Sequence, residues 1–300
     1  MKVLVVKLDG LGDWVIFDFY LQALARARKD YEFDLLVDFG AKDYIKESCL
    51  NWDKTYFISH RGGWRFKLWR KLPAIRNLPI SLCRTDIAKL QSTTYDLILV
   101  SAWNVWQEAF IRTQIISHLR YSRVIYSRDI DSSFCHDFRG DQEREFLQQA
   151  FNVLLPKLRY SPKNGEIRKI FLFSSSFKSE KRWPSNYFVE LASYLLKKGF
   201  QVELWGASLS SRPSFFRMGG MKELLASLDS SDLYIGNDTG ILHIAIQLKK
   251  KVFVISNGKK PNSFLCYDGK YLPGIESTTG NINNLSVEEV IKKLNGIYKI

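Results

Sequence analysis

Metal-binding cysteine spacing, long apolar runs and an even balance of acids and bases are all missing from this chain. Its four cysteines, Cys49, Cys83, Cys135 and Cys266, are scattered with no CxxC pair. They read as reduced, mostly buried thiols of a cytosolic protein rather than as a zinc or disulfide framework. No run of 18 apolar residues occurs, so no membrane-spanning helix is expected. The N-terminus runs straight into a strand-like stretch, so no secretory signal is expected. Acids are the scarce charge: 31 Asp and Glu face 44 Lys and Arg, a net +13. Such an excess attracts nucleic acid, anionic lipid or a phosphorylated substrate without choosing among them. No RNP, zinc or helix-turn-helix signature accompanies it, which argues against nucleic acid.

What is present is a globular composition. The 300 residues are 46% apolar, enough for one large domain or two of about 150 residues each. "KVLVVKL" (2–8) reads as a buried parallel strand, β-branched and followed by glycine. Helical spacing follows over 13–28, then strands at 33–38, 95–102 and 123–127 with helical stretches between. A linker with Pro156, Pro162 and Gly165 covers 156–168. The alternation then restarts, with strands at 169–175, 201–206, 232–236 and 251–256 and an amphipathic helix at 186–199 that Gly199 should stop. Ser286 and Glu289 form a capping box for a last helix whose apolar face is Val287, Val290, Ile291 and Leu294. Strand–helix alternation of this kind predicts α/β architecture with parallel sheets, here two units in tandem.

Ligands of such sheets bind beyond the carboxyl ends of the strands, where three loops stand out. In Gly10-Leu11-Gly12-Asp13 the glycines permit a tight turn, and the amides of the following helix favour an anion. Asp13 suits two roles there: a helix cap, or a general base that takes a proton from a substrate hydroxyl. In "SSSFKSEKRWP" (174–184), Ser174, Ser175 and Ser176 precede Lys178, Lys181 and Arg182. That is either a solvated basic loop or a diphosphate site, with Pro184 opening the next helix where no amide is needed. In "DLYIGNDTGILHIAIQL" (232–248), Thr239 and Gly240 lead into a helix start built for phosphate. Asp238 is there a turn residue or a ligand contact, and His243 a satisfied buried histidine or part of the site.

A separate feature is the acid-free stretch 61–76, with Arg61, Arg65, Lys67, Arg70, Lys71 and Arg76 interleaved by Trp64, Phe66, Leu68 and Trp69. It is either a solvated face around a packed helix or a contact for lipid headgroups or an anionic acceptor.

Taken in order, "GLGD", "KRWP" with its following helix, "VELWG" and "DLYIGNDTGILHIAIQLKKKVFVIS" resemble glycosyltransferase family 9, the heptosyltransferases of lipopolysaccharide core and related surface glycans. The likeness covers about the first 25 residues and most of the second half; 30–150 match only as alternating strands and helices. It implies a GT-B fold, two Rossmann-like domains facing each other across a cleft. The expected boundaries are an acceptor-binding domain at 1–160, a nucleotide-sugar-binding domain at 161–280, and a terminal helix at 281–300 returning to the first. It implies an inverting enzyme with no metal and no cofactor beyond a nucleoside-diphosphate sugar donor, ADP being one candidate nucleotide. Asp13 would be the base and Lys181 would offset charge on the departing diphosphate. Gly12, Ser175, Ser176, Asp238, Thr239, Gly240 and His243 would hold the donor diphosphate. Arg61, Arg65, Lys67, Arg70 and Lys71 would meet an anionic, lipid-linked glycan acceptor or the membrane surface. The expected location is cytoplasmic, peripheral at the inner face of the membrane.

Two loops depart from the family pattern. "ASLSSRPSFF" after "WG" lacks the acid that would hold ribose hydroxyls, and "NGKKPNSFLCY" replaces a "GPTDP"-like turn. Both would touch base, ribose or sugar, which leaves room for a donor other than ADP-heptose. A binding protein without turnover and a nucleotide-sugar epimerase are the competing readings on this scaffold.

Overall fold

The computed structural model describes residues 1–47, 52–58, 89–102, 105–129, 139–176, 178–206, 213–258, 266–267 and 270–300. The basic stretch 61–76, with all its expected acceptor contacts, lies outside the described residues. The chain divides into two compact units, Met1–His136 with Gly140–Pro156, and Asp137–Arg139 with Lys157–Ile300. The principal boundary therefore falls at the start of the proline-containing linker.

The first unit is built on a parallel sheet of β1 (Lys2–Lys7), β2 (Glu32–Asp38), β3 (Lys54–Ile58), β4 (Thr94–Val100) and β5 (Arg120–Tyr126), in the order β3-β2-β1-β4-β5. Central β1 buries Val3, Leu4, Val5 and Val6 completely, as a strand covered on both faces must. α1 (Leu11–Ala27) follows it, and α2 (Lys42–Glu47), α3 (Val105–Gln114) and α4 (Arg139–Phe151) are the other helices described here. Leu4, Val6, Leu36, Ile98 and Val100 share one core cluster with Phe110 and Ile111 of α3. α1 starts two residues before the predicted helix. Its N-cap is Gly10, so Asp13 is not the cap but the third helical residue. There its charge still complements the positive end of the helix.

The second unit repeats the plan with β6 (Lys169–Phe173), β7 (Gln201–Trp205), β8 (Leu233–Asn237), β9 (Lys251–Ser256) and the short β12 (Gly274–Glu276), ordered β12-β9-β8-β6-β7 and all parallel. A small antiparallel pair, β10 (Cys266–Tyr267) and β11 (Lys270–Tyr271), stands apart. The α-helices among its described residues are α5 (Ser185–Lys197), α6 (Met221–Asp229), α7 (Gly240–Gln247) and α8 (Val287–Tyr298). α5 ends as predicted: Gly199 takes φ +93°, its N–H donates to Leu196 O at 2.9 Å and the Phe200 N–H to Leu195 O at 3.2 Å, a Schellman stop. Pro184 proves to be the residue before the first turn of α5 rather than within it.

The Ser286–Glu289 box opens α8 with bonds of 3.2 and 2.8 Å. This terminal helix, which the family resemblance implies returns to the first half, is grouped with the second unit. There Val287, Val290 and Leu294 join a core cluster with Leu191, Ile235 and Phe253.

Two packing details carry measurable consequences. Asp18 is wholly buried on α1; Gln22 Nε2 donates to one carboxylate oxygen at 2.6 Å, and the other has no hydrogen-bond partner. Burial outweighs that bond and pushes its pKa from 3.8 up to about 7. The folded carboxyl thus holds its proton where the unfolded one has lost it, and stability falls as pH rises from about 4 to about 7. Asp18→Asn removes that titration. Its thermal midpoint should exceed the parent's at pH 8, by a stability gain on the order of 3 kcal/mol, and the gap should narrow steadily toward pH 5. At Gly206 (φ +127°) an added Cβ would fall 2.6 Å from Ser175 N and 2.7 Å from Ser174 Oγ. Gly206→Ala is expected to cost roughly 1–3 kcal/mol in denaturant unfolding, because both strain and overlap must be relieved.

Candidate functional site

In the second sheet the chain lays β7 on one side of β6 and then crosses to lay β8 on the other. The reversal between β6 and β8 opens a crevice at their carboxyl ends, where open α/β sheets take ligands. The loops with Ser174–Ser176 and with Asp238–Thr239 leave from those two strand ends, so the topology brings together residues more than 60 positions apart.

Asn237, fully buried as the last residue of β8, ties these loops together. Its Oδ1 accepts the Trp183 N–H at 3.0 Å and its Nδ2 donates to Ser174 O at 3.3 Å. Ser174 is held from the other side, donating its N–H to Trp205 O at 2.9 Å. The Arg182 guanidinium donates to Ser176 O at 2.6 Å, and Asn257 Nδ2 to Glu180 O at 3.1 Å. The Trp183 indole N–H donates to Leu285 O at 2.9 Å and anchors the segment to the core. With Trp183 fixed on both sides, Lys181 is delivered to Asp238, and the two form an ion pair. Asp238 is nearly buried while Lys181 keeps 29% of its side chain exposed. Asp238 is therefore a charge partner of Lys181.

α7 begins at Gly240, next to this pair, with Thr239 as its N-cap. The Thr239 side chain makes no capping bond to the helix. Tyr234 is its polar neighbour: that phenol gives its proton to Asn237 O at 3.1 Å, and its oxygen is the acceptor nearest the Thr239 hydroxyl. Thr239 Oγ1 is buried and takes no part in capping its own helix. A ligand oxygen at this point can accept from the same hydroxyl. The first-turn amides of α7 add partial positive charge at the same place. A lysine amine, a hydroxyl and a helix start at one strand end are together suited to a phosphate group.

One turn into α7, His243 is buried, and its Nδ1 is bonded to the hydroxyl of Tyr267, which is itself buried on β10. Burial pushes the imidazole pKa down to about 4; Asp238 opposes the shift and Lys181 reinforces it. At neutral pH the ring is uncharged, so it can offer hydrogen bonding but no cationic attraction to an anion.

In the first unit, β1 ends at Lys7 and α1 starts at Leu11, and the order β3-β2-β1-β4-β5 puts the reversal between β1 and β4. Asp13 and Gly12 lie in the first turn of α1, both partly buried. Gly12 therefore belongs to the first unit, whereas Ser175, Ser176, Lys181, Asp238, Thr239, Gly240 and His243 belong to the second. The sequence analysis does not single out Asn237, Trp183 or Tyr267, the last of them 24 residues from its partner. An asparagine directly before Asp-Thr-Gly at a strand end was the one signal open to it. Among the described residues no group of His, Cys, Asp and Glu could hold a metal ion, and no helix is long and apolar enough to cross a membrane.

No protein-family model matches the chain, and no curated protein matches it by sequence. Solved structures do match over its whole length. An E. coli heptosyltransferase WaaC with ADP-2-deoxy-2-fluoro heptose superposes at a TM-score of 0.71 with 16% identity, covering 99% of this chain and 100% of that one. A family 9 glycosyl transferase from Veillonella parvula gives 0.69 at 14% identity, covering 99% and 97%. The E. coli ADP-heptose lps heptosyltransferase II gives 0.62 at 14%, covering 100% and 99%. Together with the two parallel sheets, these likenesses establish the fold: the chain has the paired α/β architecture of GT-B glycosyltransferases.

Proposed function

We propose that the protein is an inverting, metal-independent glycosyltransferase. It moves heptose or a related sugar from a nucleoside-diphosphate donor to an anionic, lipid-linked acceptor of lipopolysaccharide or another surface glycan. The observation that carries this reading is the β6–β8 strand end, where the Lys181–Asp238 pair, the Thr239 hydroxyl that does not cap its own helix and the start of α7 come together. The fold of the heptosyltransferases, one of them solved with an ADP-heptose analogue, supports the donor class.

In this reading the donor diphosphate lies at the start of α7, accepting from Thr239 Oγ1 and the first-turn amides. Lys181 turns from Asp238 toward the phosphate and offsets the negative charge that grows there as the glycosidic bond breaks. Ser175 and Ser176 line the same loop. Asp13 takes the proton of the acceptor hydroxyl as that oxygen attacks the anomeric carbon. The bond to the diphosphate breaks with its electron pair, and the configuration inverts in one displacement. The net charge of +13 would attract an anionic acceptor or an anionic membrane surface, which in this reading lies at the cytoplasmic face.

Two measurements test this. A thermal-shift series with ADP, GDP, UDP and CMP should single out one nucleotide, since a ligand that binds only the folded state raises stability by RT ln(1 + [L]/Kd). Asn237→Ala, which leaves the buried Trp183 amide unpaired, should lose most of that shift. With the selected donor, Asp13→Asn should bind nucleotide like the parent and lose at least about a hundredfold in transfer, whereas Lys181→Ala should lose both binding and rate. Sugar interconversion without acceptor would instead mark an epimerase, and nucleotide binding without turnover in the parent a binding protein.

A further inference from the structure

At the β1–β4 reversal, directly before the loop that leads to Asp13, a lysine side chain is completely buried. Lys7 Nζ donates to Glu143 Oε1 of α4 at 2.5 Å and to Ser101 Oγ beyond β4 at 3.0 Å, and it pairs with Asp9 Oδ2 at 2.7 Å. Ser101 Oγ donates in turn to Glu143 Oε2 at 2.7 Å. The side chains of Lys7 and Glu143 are both 0% exposed and that of Asp9 is 13% exposed. The ammonium also lies 5.3 Å from the ring centroid of Phe17, one helical turn beyond Asp13 and on the same face of α1.

We infer that Lys7, held by Glu143 and Ser101, is a positioning residue that fixes the Leu8–Gly10 connection and the first turn of α1, and so sets the place of the Asp13 carboxylate. The reasons are geometric. Only Leu8, Asp9 and Gly10 separate β1 from α1, and Gly10, the N-cap of α1, has no side chain with which to restrain the turn. The ammonium grips this connection at both ends, through Asp9 before the glycine and Phe17 after it. Its anchor, Glu143, comes from a helix more than 130 residues away in sequence, so the grip is tertiary and not a property of the loop. A desolvated ammonium among carboxylates is costly unless the geometry is fully satisfied, and a hydrophobic pair would pack a sheet end as well. An ion pair retained here is explained by the precision it imposes on the neighbouring acid.

This inference rests on the reading of Asp13 as the base, and the test separates the two. Amide hydrogen exchange of the segment 8–17 is followed alongside kcat, donor KM and nucleotide affinity, using the donor chosen by the thermal-shift series. Lys7→Met should speed exchange in that segment more than in β2, and should lower kcat about a hundredfold with donor KM within about twofold, as misplacement of a reacting group does. Asp9 is partly exposed, so its variants keep the fold testable should Lys7→Met not fold. Asp9→Ala should lower kcat about tenfold, and Asp9→Asn, which retains an oxygen for Lys7, should recover most of it. Parent-like exchange and kcat in folded Lys7→Met and Asp9→Ala would overturn the inference. So would a joint loss of kcat, nucleotide affinity and thermal stability with no recovery in Asp9→Asn, the mark of a merely structural role. If Asp13→Asn retains the parental rate, the base assignment falls instead, and the exchange data alone judge whether Lys7 orders the loop.

Discussion

The second unit depends on Asn237. One buried amide, at the end of β8, accepts from the Trp183 backbone and donates to the Ser174 backbone. It thereby fixes three chain segments against each other with neutral hydrogen bonds in a site where unpaired polar groups are expensive. Everything cationic in the crevice follows from it. Lys181 can meet Asp238 because Trp183 cannot move, and Trp183 is fixed a second time by its indole bond to Leu285. The charged groups are thus placed by a neutral frame, and their positions do not rest on their mutual attraction.

That division of labour explains why the crevice can hold an anion. Lys181 retains partial exposure and is paired with Asp238 alone among the described residues, so it can reorient toward a phosphate without loss of the frame. His243 stands behind it as an uncharged ring bonded to Tyr267, which keeps a second positive charge out of the interior of α7. The Thr239 hydroxyl is unspent on capping its own helix. In the first unit the roles are reversed: there the buried element is charged, with Lys7 between Glu143 and Asp9, and the acid proposed to react is only partly buried on the first turn of α1.

Much of the architecture was legible because it is written in local pattern. β1 is a short β-branched run followed by Asp9-Gly10, β8 a short apolar run that ends in Gly236-Asn237, α5 carries its own stop at Gly199, and α8 its own start at Ser286. β3 and β12 escaped notice because KTYFI and GIE are short and too weakly apolar to separate from the loops around them. The start of α1 was misplaced by two residues, since Gly10 caps it with backbone alone and leaves no side-chain signature. Of the candidate site, the motif residues Lys181, Asp238, Thr239 and Gly240 were readable from order and spacing, while Asn237, Trp183 and Tyr267 were not.

The amino-acid sequence by itself determined that this chain folds as two α/β units in tandem and which loops sit at strand ends, because periodicity, glycine stops and caps act over a few residues. Only the tertiary structure decided that Lys181 pairs with Asp238, that Asn237 holds both their loops, that Tyr267 reaches His243, and that Lys7 is buried against Glu143. Those contacts span 24 to 136 positions. They exist because strand order, not sequence distance, sets which loops become neighbours at the end of a sheet.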